Sequence, residues 1–310
     1  MSEAAITLEG VRKRFGPVQA LDGMDLSVPS GSIFGFLGPN GAGKTTSIRV
    51  LTGFIRAGEG QVRVLGLDPW RQAVDVHQRT GFLPDAVAFG SGFTGQEFLD
   101  YTARLHGLSA RPARQRELLE RLELSGEALG RKVKYYSSGM AKKVGLVRAM
   151  QHAPELLIMD EPTEALDPLM RQALFAILRE ERERGATVFF SSHVLSDVEE
   201  VCEEVALVRA GRVIRTGGVE ALRAAAPRVL TVRLRGEPPA VMGVPGAEEV
   251  GREGPLVRLR VTAEAAEVAR ALAALDIEDF TYERPDLEEL FLTMYGDGAA
   301  PERAAEVAGA

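Results

Sequence analysis

Nine consecutive residues, Gly38-Pro39-Asn40-Gly41-Ala42-Gly43-Lys44-Thr45-Thr46, follow the apolar run 33–37 and fit the pattern G-x-x-x-x-G-K-[ST]. Gly38, Gly41 and Gly43 let the backbone turn tightly with its N–H groups directed inward, and a helix opening near Lys44 adds its partial positive end at the same spot. Such a cradle suits an anionic polyphosphate. Lys44 reaches β- and γ-phosphate oxygens as a compact charge. The Thr45 hydroxyl completes the shell of a Mg²⁺ ion that keeps several waters.

A second group of residues carries the complementary chemistry. The run Leu156-Leu157-Ile158-Met159 reads as a strand buried on both faces, and it delivers Asp160 and Glu161 to the carboxyl edge of a sheet, where open α/β folds place their ligands. Beside a phosphate loop, Asp160 becomes a second Mg²⁺ contact and Glu161 the residue that polarises an attacking water. Residues 186–190 form another buried strand, ending in Ser191-Ser192-His193, so His193 points at the same edge as a γ-phosphate contact. Tyr136-Ser137-Ser138-Gly139-Met140 stands at the start of a helix spanning 141–150. Hydroxyls and a glycine there suit anion binding and equally suit plain capping. Phe15 sits on a turn between two strands, where an aromatic either stacks on a purine or makes a core contact.

The elements that position these residues follow from periodicity. Residues 6–11 and 24–28 alternate as strands of an antiparallel region leading into the buried strand 33–37. The helix after the glycine loop stops at Gly53; 61–66 and 80–85 read as strands, the latter ending in a loop at Asp85. Thr94-Gly95-Gln96-Glu97 is a capping box opening a helix through Leu105, preceded at 86–93 by a Gly-rich loop with two aromatics. That loop suits a partner's docking surface and core packing alike. Helices at 112–124 and 169–184, a helix capped by 196–199 and a closing hairpin at 205–214 complete the region. Composition shifts near 224–227. Beyond it, strands at 229–234, 256–261 and 279–282 with helices at 264–275 and 287–295 predict a small α+β domain, and an Ala- and Glu-rich tail is expected to be disordered. The expected domains are 1–224, 225–296 and 297–310.

Composition narrows the partners. A chain of 310 residues allows about two domains, and its formal net charge of -7 argues against a general nucleic-acid binder, which wants a basic face. The single Cys202 cannot form an internal disulfide and reads as a small buried hydrophobe. No apolar run approaches the length of about 20 residues that a spanning helix needs, so work at a membrane requires another chain to supply the span.

The phosphate loop, Gly81-Phe82-Leu83-Pro84-Asp85, Tyr136 to Met140, Leu156 to Glu161, Leu166-Asp167-Pro168 and His193 occur in the order and approximate spacing of the ATP-binding-cassette (ABC) superfamily. From about residue 4 to 220 the chain resembles a transporter nucleotide-binding subunit. Its C-terminal Arg284-Pro285-Asp286-Leu287-Glu288-Glu289-Leu290-Phe291-Leu292 is similar to the end of drug-export ATPases of the daunorubicin-resistance type.

The resemblance implies an α/β P-loop ABC ATPase fold: a mostly parallel sheet core, an antiparallel β subdomain, a helical subdomain and a small C-terminal α+β domain. It implies ATP and Mg²⁺ as ligands, with Pro39, Asn40, Ala42 and Thr46 completing the cradle. Phe15 takes the adenine-stacking position, His193 the switch histidine, and Asp167 the loop that crosses to a partner subunit. Ser137 and Gly139 match the signature that touches the γ-phosphate held by the opposite subunit, so ATP would join this chain head to tail with a second copy or a paralogous ATPase. A separate integral membrane permease, docked near residues 85–101, would be driven from the cytoplasmic face of the cell membrane, and the implied direction is export. No nucleic-acid partner is implied.

Two departures stand out. Tyr136, Ser138 and Met140 replace three residues of Leu-Ser-Gly-Gly-Gln, although Ser137 and Gly139 keep the anion contacts. Asp85 stands where the family has Gln or Glu; it is shorter, and its expected catalytic and Mg²⁺ contact then needs a bridging water. The alternatives are a soluble ABC ATPase of DNA repair or ribosomes and a low-turnover nucleotide-gated regulator. The first class generally has two cassettes, a long coiled coil or zinc cysteines, whereas this chain has one cassette and one Cys.

Overall fold

Strands that are apolar on both faces have to be covered on both faces, and three of them form the centre of the larger sheet. The computed structural model of the protein describes residues 4–90, 92–224 and 227–284. It divides the chain into two units, one running to Val219 and one beginning at Glu220.

In the first unit, β1 (Ala4–Phe15), β2 (Val18–Pro29) and β4 (Glu59–Val64) form an antiparallel sheet in the order β2-β1-β4. Between β2 and β4 in the chain lie β3 (Ile33–Leu37) and the helix α1 (Lys44–Leu51). The second sheet contains β3, β5 (Thr80–Leu83), β6 (Leu156–Asp160), β7 (Thr187–Ser192), β8 (Glu204–Arg209) and β9 (Arg212–Gly218), ordered β5-β6-β7-β3-β8-β9. Only β9 is antiparallel to its neighbour. Every residue of β3, β6 and β7 is buried. Register places Leu37 opposite Ser192 and Asp160 opposite Ser191, so these three parallel strands end level with one another. Phe34, Phe36 and Phe189 pack between the strands, with centroids 6.3 Å (Phe34–Phe189) and 5.0 Å (Phe36–Phe189) apart.

The helices of this unit are α2 (Ala73–Arg79), α3 (Gly95–Leu105), α4 (Ala113–Arg121), α5 (Gly126–Gly130), α6 (Ser138–Met150), α7 (Pro168–Glu183) and α8 (Leu195–Val201), followed by α9 (Val219–Ala224) at the boundary. The capping box at α3 is formed: the Thr94 hydroxyl accepts from the Glu97 amide at 3.2 Å and the Glu97 carboxylate accepts from the Thr94 amide at 2.7 Å. Gly35 lets α8 lie directly on β3, because a Cβ there would meet a Val198 methyl at 2.8 Å.

Several local expectations need correction. Phe15 is the last residue of β1, paired with Val18, and the turn is Gly16-Pro17. The 196–199 segment does not cap α8: that helix begins at Leu195 after Val194, while Asp197 is buried with its carboxylate 3.6 Å from Arg171. An ion pair inward to α7 has taken the carboxylate that capping would use. Of the two uses left open for the aromatics before α3, the packing one is seen: Phe89 packs on Phe98 at 4.9 Å and Phe93 on Tyr101 at 5.6 Å. The short α2, with one buried residue, escaped the periodicity reading.

The second unit is an antiparallel sheet of β10 (Arg228–Leu234), β11 (Ala247–Glu253), β12 (Leu256–Val261) and β13 (Ile277–Glu283), ordered β11-β12-β10-β13, with helix α10 (Ala265–Leu272). Leu230, Val232, Val257, Leu259 and Val261 share a core with Val268 and Leu272 of α10. The edge strand β11 was not read from the sequence because its Glu- and Arg-rich segment shows no apolar alternation. The expected helix 287–295, the tail 297–310 and all but Arg284 of the C-terminal similarity lie outside the described residues.

One titrating group ties this fold to pH. The His152 ring stacks on His106 with centroids 3.7 Å apart, its Nε2 lies 3.2 Å from the Thr80 carbonyl, and its buried Nδ1 has no hydrogen-bond partner among the described residues. Protonation would therefore bury an unpaired N–H and a charge. Burial first, and then His106, pushes the His152 pKa down from 6.5 to about 4. A depressed histidine pKa favours the folded state fully above the unfolded value, and that contribution is lost as pH falls from 6.5 through about 4. The full loss is on the order of 3 kcal/mol. Urea unfolding across this range should show His152→Gln losing less stability than wild type; parallel curves would exclude His152 as a source of the slope.

Candidate functional site

The glycine loop takes its shape from what surrounds it. It leaves β3 at Gly38, where a Cβ would meet the Val208 carbonyl at 2.5 Å, and enters α1 at Gly43, whose φ of 107° and 2.8 Å gap to the Ala20 carbonyl admit only glycine. Gly41 is also left-handed, with φ 81°. Pro39, Asn40 and Gly41 are exposed, Ala42 is buried and Thr46 half-buried. The amides of Gly41, Gly43, Lys44 and Thr45 find no acceptor among the described residues. Four free donors around a helix start make an anion cradle.

Lys44 is buried and folds back over the loop, donating to the Gly38 carbonyl at 2.6 Å, with its Nζ 3.5 Å from Glu161 Oε1. Glu161 in turn places Oε2 2.9 Å from His193 Nδ1. Its φ of 47° is rare for a residue with a side chain and holds the carboxylate toward Lys44 and His193. Asp160 accepts from the Ser191 hydroxyl at 2.6 Å and is hydrogen-bonded by the Thr45 side chain. Burial raises its pKa, and the hydroxyls of Ser191 and Thr45 oppose that rise. A buried carboxylate beside a hydroxyl at the mouth of a phosphate cradle fits Mg²⁺, which takes one or two protein oxygens plus substrate phosphates and waters. Lys44, Thr45, Asp160, Glu161 and His193 thus converge from α1, the end of β6 and the end of β7.

Full-length sequence comparison places this geometry. The ABC transporter family profile matches residues 21–164. A daunorubicin resistance ATP-binding protein of Streptomyces coeruleorubidus is 38% identical over 319 aligned positions, covering 98% of this chain and 100% of that protein. The chain belongs to the ABC transporter family. A daunorubicin/doxorubicin resistance ATP-binding protein of Streptomyces peucetius is 33% identical, covering 97% of this chain and 96% of its own length. A solved ATP-binding subunit of an ABC transporter superposes with a TM-score of 0.66 at 26% identity, over 71% of this chain and 92% of that one.

Within this ABC chain, five predicted residues stand apart from the central cluster. Ser137 is the N-cap of α6, its hydroxyl accepting from the Met140 amide at 3.3 Å, so the capping use is real. Gly139 lies against the Ala165 carbonyl, 2.8 Å from where a Cβ would sit. Asp167 caps α7 by accepting from Met170 at 3.0 Å and is exposed. None of the three bonds to Lys44, Thr45, Asp160, Glu161 or His193. Phe15 is 47% exposed, with Lys13 Nζ 5.2 Å from its ring centroid, which leaves a face for stacking rather than a core contact. Asp85 is not hydrogen-bonded into the cluster either: its carboxylate is 3.8 Å from Lys142 Nζ. The neighbouring Asp85 carboxylate, and then burial, raises the Glu164 pKa.

Two residues of the site were missed. Ser191 lies two positions before His193 on a strand, so period-two reasoning would have found it. Lys142 gave no signal, because Lys142-Lys143 on a helix reads as a solvated face. Among the described residues no helix is long and apolar enough to cross a membrane.

Proposed function

We propose that this chain is the ATP-hydrolysing subunit of an ABC exporter, with Lys44, Thr45, Asp160, Glu161 and His193 as its working residues. The observation that carries this reading is the Lys44–Glu161–His193 arrangement at the mouth of the glycine cradle, at 3.5 Å and 2.9 Å. The loop amides and Lys44 bind the triphosphate, and Phe15 offers its exposed face to adenine. Thr45 and Asp160 would hold Mg²⁺, which when bound offsets charge on the β- and γ-phosphates. Glu161 orients a water for in-line attack and takes its proton, and His193 holds Glu161 through Nδ1.

Ser137 and Gly139 carry amides and a hydroxyl at a helix start with no phosphate loop of their own to serve. A second copy, or a paralogous ATPase, docked head to tail would bring them to the γ-phosphate, with Asp167 at the crossing. Closure and reopening of that dimer would drive a separate permease from the cytoplasmic face of the membrane. The permease would dock near residues 85–101. Tyr101 in that segment is half-exposed, and the following Thr102 lines a groove of about 400 Å³ with Phe54, Phe82, Leu105 and His106.

Steady-state phosphate release tests this reading. The wild-type protein should hydrolyse MgATP, and turnover should rise when a permease that copurifies in detergent is added. An absence of phosphate release in both conditions refutes it.

A further inference from the structure

We infer that Lys142 is a positioning residue that ties Glu161 and Asp85 to the helix carrying Ser137 and Gly139. The inference rests on the ATPase reading above. Lysine is almost never fully buried without partners, yet the Lys142 side chain is only 5% exposed, in the second turn of α6. Its partners are backbone and carboxylate oxygens of the site: Nζ donates to the Asp85 carbonyl at 2.6 Å and the Glu161 carbonyl at 3.0 Å, and lies 3.8 Å from Asp85 Oδ1.

The Glu161 contact matters most. Glu161 holds a left-handed backbone, and such a conformation persists only when its surroundings over-determine it. Its N–H donates to the Ser191 carbonyl at 3.1 Å, and its carbonyl accepts from Lys142 Nζ at 3.0 Å and from the Glu164 amide at 3.2 Å, so both of its peptide groups are fixed. Removing Lys142 leaves that carbonyl only the Glu164 amide, at 3.2 Å, and takes away the side-chain tie that links the Glu161 peptide to α6. The carboxylate aimed at His193 and Lys44 would then shift. Because Lys142 sits one turn past Gly139, displacement of α6 is passed directly to the hydrolytic carboxylate and to the Asp85 loop. Lys142 touches neither the phosphate loop nor Thr45 and Asp160 through a hydrogen bond, so nucleotide binding should be spared.

Lys142→Met keeps the length of the side chain and removes its donors. In the full chain, kcat for MgATP should fall about 10- to 100-fold, the scale of a reacting group misplaced by an ångström. Affinity for a fluorescent ATP analogue should stay within about twofold. A kcat within about twofold of wild type overturns the inference, and so does a loss of kcat matched by an equal loss of ATP affinity. Should Lys142→Met not fold, Lys142→Gln keeps one donor and carries the same readout: kcat down at least about fivefold at unchanged affinity is expected, and wild-type kcat overturns the inference. Failure of the ATPase reading is distinct from all of these, since wild-type protein would then release no phosphate.

Discussion

Glu161→Gln is expected to bind MgATP as wild type does and to lose turnover by about 10²- to 10⁴-fold, the range for removal of a positioned general base. The substitution preserves shape: the glutamine oxygen can still accept from Lys44 Nζ, now 3.5 Å from Oε1, while its N–H₂ takes the place of Oε2, now 2.9 Å from His193 Nδ1, and can donate to that nitrogen. It removes the charge that polarises water. The amides that hold phosphate belong to Gly41, Gly43, Lys44 and Thr45 and are untouched, so binding and chemistry should separate. With hydrolysis blocked, nucleotide-saturated protein should accumulate as a dimer on size-exclusion chromatography. Turnover like that of wild type would remove Glu161 from the role given to it here.

Lys44→Ala should do the reverse. The Nζ that now rests on the Gly38 carbonyl at 2.6 Å is the only side-chain cation described in contact with the cradle, and its loss leaves the triphosphate to backbone dipoles. ATP affinity should fall about 10- to 100-fold, or 1.4 kcal/mol for each factor of ten, and turnover at saturating ATP about 10²- to 10³-fold. No nucleotide-dependent dimer should form at ATP concentrations that saturate Glu161→Gln. His193 still pairs with Glu161, so the buried carboxylate keeps a partner and the fold should persist. Titration with a fluorescent ATP analogue checks the binding loss directly; unchanged affinity would show that the backbone alone holds the phosphates.

The central machinery was legible in the chain because its signals are local. A glycine loop needs residues without a Cβ at fixed offsets, and a doubly buried strand such as Leu156–Asp160 needs an unbroken apolar run. Since β3, β6 and β7 are parallel, whatever follows each of them emerges at one edge, which is why Lys44, Asp160, Glu161 and His193 could be placed together from sequence. Expectations failed where the deciding partner is distant in sequence. Asp197 looks like a cap until Arg171, 26 positions earlier in the chain, claims it.

Residue types and spacing by themselves determined that this chain would cradle a polyphosphate and present carboxylates beside it, because glycine conformation and strand burial act over a few residues. Only the tertiary structure decided how those groups are aimed. The left-handed Glu161, the Ser191 hydroxyl on Asp160 and the buried Lys142 joining two carbonyls far apart in the chain exist because packing brings α6 and β7 against the end of β6. A charge is kept inside a protein by oxygens supplied from several segments, and no single stretch of sequence contains them.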